Sequence, residues 1–321
     1  MTKDLFDGFA SLKFDEARVK FGGHETFALR YGWLSKGFQA LAVNQDIFGE
    51  KFKDHAPMDL GVGKNMVKSI EYWLRATQVI SLKGHQATEI GSLIFDQAKG
   101  LDPYLEDEAT IWLIHWLLCS NASFATAYFW FFNNFHKSEF TSQELATALY
   151  DFVNDKVDVS KRAAITTLTK DARLIHRMYT PSKGNTATPL EDALDSPLAS
   201  LRLMSQTAGG RSFHSKPEAR PSLPVAVVGF ALSSLIVQRQ DQIISIDDLM
   251  KSRNGYAALG SIFRLTENEL ITKLELLANY IPDKFEIRDT AGINQIYQLN
   301  SIDPIDYLLK YYQDSQVGEA A

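Results

Sequence analysis

The stretch TENELITKLELLANYIPDKFEIRDTAGINQIYQL (266–299) decides the fold. Thr266-Glu267-Asn268-Glu269 is a capping-box signature and predicts a helix over 267–280. Phe285-Glu286-Ile287-Arg288 and Ile296-Tyr297-Gln298-Leu299 then flank Asp289–Asn294, which contains Gly292, and read as a hairpin. A helix followed closely by a hairpin is the order of a winged helix-turn-helix. Upstream, Val225–Val237 reads as an apolar helix, and Ser245-Ile246-Asp247-Asp248 is a second capping box. Residues 223–321 are therefore expected to form a C-terminal winged-helix-like domain.

Related grammar appears twice more. Residues 1–100 comprise an N-terminal arm and a winged-helix-like domain. In it, an apolar and aromatic run from Phe27 to Val43 precedes Gly61-Val62-Gly63, a helix from Lys64 to about Ala76, and a strand-turn segment at Val79–Gly84. Residues 101–180 read as a helical, helix-turn-helix-like domain. Asp102-Pro103 looks like a helix start, Glu108–Ser120 and Ala125–Phe135 are apolar on all sides, Thr141–Glu144 is a capping box, and a last helix is expected over Ser160–Tyr179. Residues 181–222, rich in Pro, Gly, Ser and Thr, read as a linker or long loop, with one short helix over Asp195–Gln206. The expected class is mainly α, with tandem winged-helix or helix-turn-helix-like units and small β-wings.

Composition narrows the function classes. The 321 residues are 45% hydrophobic and 22% charged, which is ordinary globular usage. The single cysteine, Cys119, permits no internal disulfide. No signal peptide or bilayer-spanning run is visible, so a cytoplasmic protein with no membrane contact is expected. The net charge of −6 does not itself favour nucleic acid, so the local distribution of charge decides.

Two helices concentrate cations. On the helix from Lys64, Val67, Ile70 and Leu74 form the apolar stripe, whereas Lys64, Asn65, Lys68, Tyr72 and Arg75 fall on another face. On 160–179 the stripe is Ile165, Leu168, Ala172 and Ile175. Lys161, Arg162, Thr166, Thr169, Lys170, Arg173 and Arg177 oppose it, with Asp171 the one acidic residue among them. Like charges at helical spacing repel, and a polyanion relieves that repulsion while releasing its counterions. Arg211, His214, Lys216 and Arg220 add a basic cluster in the linker, readable equally as solvated loop. Double-stranded DNA is the expected partner. The helix at 267–280 carries Glu267, Glu269 and Glu275 against Lys273, a pattern better suited to protein contact or homodimerisation.

The most unusual run is Phe21-Gly22-Gly23-His24-Glu25-Thr26-Phe27, followed by Arg30 and Trp33. A histidine beside a carboxylate can bind metal or move a proton, although such pairs more often make local hydrogen bonds. Together with Leu60-Gly61-Val62-Gly63-Lys64-Asn65-Met66-Val67 and Ile70-x-x-Trp73, this run resembles the SspB-like family, domain of unknown function 4007. The family occurs in bacterial gene clusters for DNA phosphorothioation and phage defence. The resemblance covers most of the chain. It implies a part in replacing a non-bridging phosphate oxygen by sulfur, a link to DNA nicking, and partners that include a cysteine desulfurase, an ATPase and a sulfur-inserting enzyme. It assigns no catalytic residue. His24, Glu25 and Arg30 match its motif, with Arg30 expected on DNA. If nicking occurs, His24 and Glu25 are the expected catalytic and metal-binding residues, with Mg2+ or Mn2+. The alternative is a non-enzymatic DNA-binding adaptor or a transcriptional repressor of the cluster.

Absent motifs limit the chemistry further. Met58 stands where a phosphate-binding loop needs its first glycine and Asn65 where it needs Ser or Thr, which argues against ATP hydrolysis. No Ser-Gly-Gly-x-Asp run for adenylation occurs. Cys119 lies in an apolar helix, a poor setting for a persulfide. His115 reads as a core residue, and His55, His85 and His136 have no zinc-site spacing. The aromatics from Tyr128 to Phe135 read as core.

Overall fold

The computed structural model describes residues 9–181, 196–290, 293–301 and 303–319; it is mainly helical, with two small antiparallel sheets. In the first segment α1 (Trp33–Val43), α2 (Ala56–Leu60) and α3 (Lys64–Ala76) pack with α4 (Glu89–Phe95). Gly63 enters α3 in an extended conformation, and Val67, Ile70 and Leu74 point into the core. The expected strand-turn after α3 is reduced to one bridge, Ile80 to Ala87.

In the second segment α5 (Glu108–Cys119) and α6 (Thr126–Asn133) are buried on every side. Asp102 does not cap α5. Its carboxylate accepts the Glu106 and Asp107 N–H groups at 2.8 and 2.9 Å, and Asp107 caps the helix through the Ala109 N–H. The capping box at Thr141 and Glu144 is formed as read and opens α7 (Ser142–Lys156). The helix expected from Ser160 is shorter: a 3-10 turn at Val159–Lys161 leads into α8 (Ile165–Tyr179). Leu168, Ala172 and Ile175 are buried, but Ile165, assigned to the same stripe, is 57% exposed in the first turn.

Within the segment expected as a linker or long loop, residues 196–222 carry short elements joined by loop. A 3-10 turn at Pro197–Leu201 precedes β2 (Ser205–Gln206) and β3 (Phe213–His214), and β3 pairs with β1 (Glu139–Phe140) to give the order β1-β3-β2. Phe213 is buried between Phe140 and the His176 ring of α8, which stacks on it at 4.5 Å. That apolar anchor holds a Gly- and Ser-rich segment in place. The expected short helix begins at Asp195, outside the described residues, and the part described is the 3-10 turn.

The third segment runs α9 (Val225–Arg239), β4 (Ile243–Ser245), α10 (Ile246–Met250), α11 (Leu259–Ile262), α12 (Glu267–Tyr280), β5 (Phe285–Thr290), β6 (Ile293–Gln298) and α13 (Pro304–Glu319). Thr266 caps α12 through the Glu269 N–H, and the expected hairpin is β5–β6. Gly292, expected at its tip, lies outside the described residues. The sheet order is β4-β6-β5. Both sheets thus share one plan, in which the strand ahead of the helices pairs with the second strand of the hairpin that follows them.

One apolar core runs through all three segments. Asn133 accepts the Ala258 N–H at 2.9 Å, and Thr110 meets Tyr312. Buried Arg264 donates to the carbonyls of Phe131, Phe132 and Phe135, so a cation from the third segment closes the C-terminal end of α6, where the helix dipole is negative. No helix among the described residues is long and apolar enough to cross a membrane.

Candidate nucleic-acid interface

The outer face of α8 is cationic and free of acid. Lys161, Arg162, Thr166, Lys170, Arg173 and Arg177 are exposed, and Thr169 is half-buried, its hydroxyl bonded to the Ile165 carbonyl. Thr166, Lys170, Arg173 and Arg177 follow one another at helical spacing down the exposed side. Arg162 donates from Nε to the Val157 carbonyl, which fixes it at the head of the helix. Among the described residues no carboxylate pairs with any of these cations. Asp171, the one acid within the stripe, is buried and turned into the protein. The face therefore carries a single sign.

The basic face read on α3 divides. Lys64, Asn65 and Lys68 are exposed, Lys64 being paired with Asp54 at 2.8 Å. Tyr72, expected on DNA, is buried. It is 6% exposed, packs edge-on against His24 and Trp73, and burial raises its pKa well above the ordinary phenol value. Arg75 is also turned inward, with its side chain 11% exposed. Its guanidinium binds Glu71 and the carbonyls of Ser81 and Leu82, so it braces the loop after α3 rather than facing solvent. Both corrections arise because α3 is covered on two sides, whereas an amphipathic reading assumes one.

The arm lies between these helices. His24 is 2% exposed; its Nε2 donates to Asp171 Oδ1 at 2.5 Å, and its Nδ1 accepts the Thr26 N–H at 3.1 Å. Asp171 also accepts the Gly22 N–H, at 3.1 and 3.0 Å. On the other side Ser69 of α3 donates to the His24 carbonyl at 3.1 Å. The arm thus ties α3 to α8 through two buried contacts. Its glycines are required by geometry. Gly22 has φ +68° and Gly23 +92°, and a Cβ on Gly22 would sit 2.9 Å from the Thr167 methyl. Beyond His24 the chain turns sharply, with Glu25 and Thr26 both left-handed at φ 47° and 65° and both exposed. Two non-glycine residues in that region store strain that the surrounding contacts must hold.

This geometry separates the His24–Glu25 pair. Both ring nitrogens of His24 are occupied by protein groups, while Glu25 faces solvent on the strained turn. As folded, the two do not form a metal-ligand pair. Among the described residues no group of three or more His, Cys, Asp or Glu side chains is placed to hold a metal ion.

The remaining residues fall on both sides of the surface. Arg211 is exposed in the connection between β2 and β3. Arg30 is half-buried, its guanidinium over the Trp33 ring at 5.2 Å. Arg220, read with Arg211 as part of a basic cluster, is buried and bonds to the carbonyls of Arg202 and Lys216. His115 is a satisfied core residue: Nε2 donates to the Ile262 carbonyl, Nδ1 accepts from Tyr179, and burial pushes its pKa down to about 3. Burial raises the Cys119 thiol pKa far above its ordinary value. The Asp171 contact is what sequence reading missed. Its one signal was an acid standing alone in a basic stripe two residues before Arg173.

These features define a mainly helical protein whose hairpin-bearing units share one core and whose α8 presents a one-signed face. Residues 21–312 match the family described as Protein of unknown function (DUF4007), and the chain belongs to that family. Its fold is similar to a solved structure described as "Magnesium ion-bound SspB crystal structure", with a TM-score of 0.79 and 27% identity over 96% of this chain and 90% of that one. A second, described as "SspB crystal structure", gives 0.76 and 29% over 94% and 88%. No curated protein matches the chain significantly.

Proposed function

We propose that the chain is a DNA-binding component of a DNA phosphorothioate modification and anti-phage system, and that α8 enters the major groove. The unit α6-β1-α7-α8-β2-β3 then acts as a winged helix-turn-helix. In it α8 is the recognition helix and the β2–β3 connection, carrying Arg211, is the wing on the flanking backbone. The unit from α9 to β6 has the same strand order, with the acidic α12 ahead of its hairpin, and it serves contact with protein, including a second copy. The observation that carries the reading is the exposed α8 face with its single acid turned inward. The likeness to SspB structures and the FGGHETF motif support the assignment to the modification system, with desulfurase, ATPase and sulfur-inserting partners.

The test is duplex binding followed by fluorescence anisotropy across a salt series. Arg173→Ala and Arg177→Ala are each expected to weaken binding and to flatten the log K against log salt slope by about one. An unchanged slope in both variants refutes a role for α8.

Strand nicking is the second reading. The exposed, strained Glu25 beside two cationic helices favours it, as does the magnesium ion bound by the similar SspB structure. Relaxation of supercoiled plasmid in Mg2+ or Mn2+ that Glu25→Gln abolishes, with duplex binding retained, would support it. Binding without any relaxation leaves the adaptor or repressor role.

A further inference from the structure

The seam between α3 and α8 contains one more cation that has no carboxylate partner. Lys20 is anchored by its backbone N–H, which donates to Thr126 Oγ1 at 2.9 Å. Its ammonium sits 3.7 Å over the Phe124 ring and 6.0 Å from that of Tyr72, and among the described residues no carboxylate lies within ion-pair distance. A cation held over an aromatic face keeps its charge available to a second, anionic partner. The side chain also lies along Gly23, where an added Cβ would meet Lys20 Cε at 3.5 Å and the Tyr72 ring at 3.1 Å. Gly23 is exposed, and no acceptor among the described residues takes its backbone N–H or that of Glu25. Partial desolvation, and secondarily Arg75, lower the Lys20 pKa, while the Glu71 carboxylate, itself paired with Arg75 and His85, offsets part of that shift.

We propose that Lys20 and the Gly23 backbone form a seat for one phosphodiester group, so that the faces of α3 and α8 make one track for a DNA strand. The inference rests on the DNA-binding reading and adds a contact to it. Gly22 of the same arm touches α8 at Thr167 and Asp171, while Ser69, beside exposed Lys68, holds the arm to α3. A strand following the cations of α8 toward Lys68 therefore crosses the arm, and a bare N–H beside an ammonium is the chemistry a phosphate oxygen needs there.

Lys20→Met keeps most of the aliphatic stem against Gly23 and removes the charge, whereas Lys20→Arg keeps a cation. Duplex affinity of the full chain is measured against salt for both, with Arg173→Ala as the reference and circular dichroism to confirm folding. Lys20→Met is expected to bind roughly tenfold more weakly, the size of one exposed charge-assisted contact. It should lose about one unit of salt slope equally on unrelated sequences, because a phosphate carries no base information. Lys20→Arg should retain the wild-type slope. If Lys20→Met matches wild type while Arg173→Ala loses slope, the seat is refuted and the DNA-binding reading stands. If the wild-type chain shows no salt-dependent duplex binding, both fall.

Discussion

Asp171→Ala removes the acceptor on which the arm hangs. The carboxylate is buried and receives two donors, the Gly22 N–H and the His24 Nε2–H, neither of which makes another hydrogen bond among the described residues. A buried donor left unmade costs about 1–3 kcal/mol, and more when its partner was charged. Two of them therefore cost about 4 kcal/mol, before any cavity left by the missing carboxylate. For a chain of this size about 2 °C per kcal/mol is expected, so Tm should fall by roughly 8 °C. Asp171→Asn, which retains one carbonyl acceptor, should lose about half as much. The assay is a thermal melt of Asp171→Ala, His24→Ala and the double variant. Because both residues belong to one cluster, the two losses should fall short of adding by at least about 1 kcal/mol. A fall in Tm under about 2 °C for Asp171→Ala, or strict additivity, refutes the view that this pair clasps the arm to α8.

Two further outcomes follow from buried groups. Burial holds the His115 and His176 pKa values at about 3 and about 4, below the ordinary 6.5, so the fold keeps both rings neutral while the unfolded chain protonates them. Their contribution is fully present above pH 6.5 and is lost as pH falls toward the folded values. Urea midpoints measured from pH 7 to 5 should drop, each histidine adding up to about 1.4 kcal/mol per pH unit to the slope, and His176→Gln should remove its share. Cys119, buried with its thiol pKa raised, should resist iodoacetamide at neutral pH in the native state and react once the chain is unfolded in denaturant. Labelling of the native protein on the same timescale would show that α5 is not closed.

The residues that read correctly as local structure did so because their signals are local. The capping box at Thr141 and the hairpin after Tyr280 depend on neighbours a few positions away; the box formed as read, and the hairpin formed with its strands pairing further, through Asp289–Asn294 and Thr290–Ile293, than the turn read at 289–294 allowed. The strands in the presumed linker escaped notice for the opposite reason. Each is two residues long, too short for periodicity, and the pair is held in place where β3 meets Glu139 and Phe140, far upstream in the chain. Tyr72 and Arg75 misled in a similar way. On one helix face they look like partners of Lys68, but the arm and the loop after α3 cover that side.

By itself the chain's order of residues determined that helices dominate, that a hairpin follows α12, and that α8 carries cations in a row, since these depend on spacing and side-chain type. Only the tertiary structure decided what the arm does. His24 and Asp171 are 147 positions apart, and nothing short of folding could show that the lone acid of the cationic helix turns inward to hold the histidine. That inward turn leaves the outer face of α8 with one sign, because a buried carboxylate facing its own donors no longer neutralises the cations on the other side of the helix.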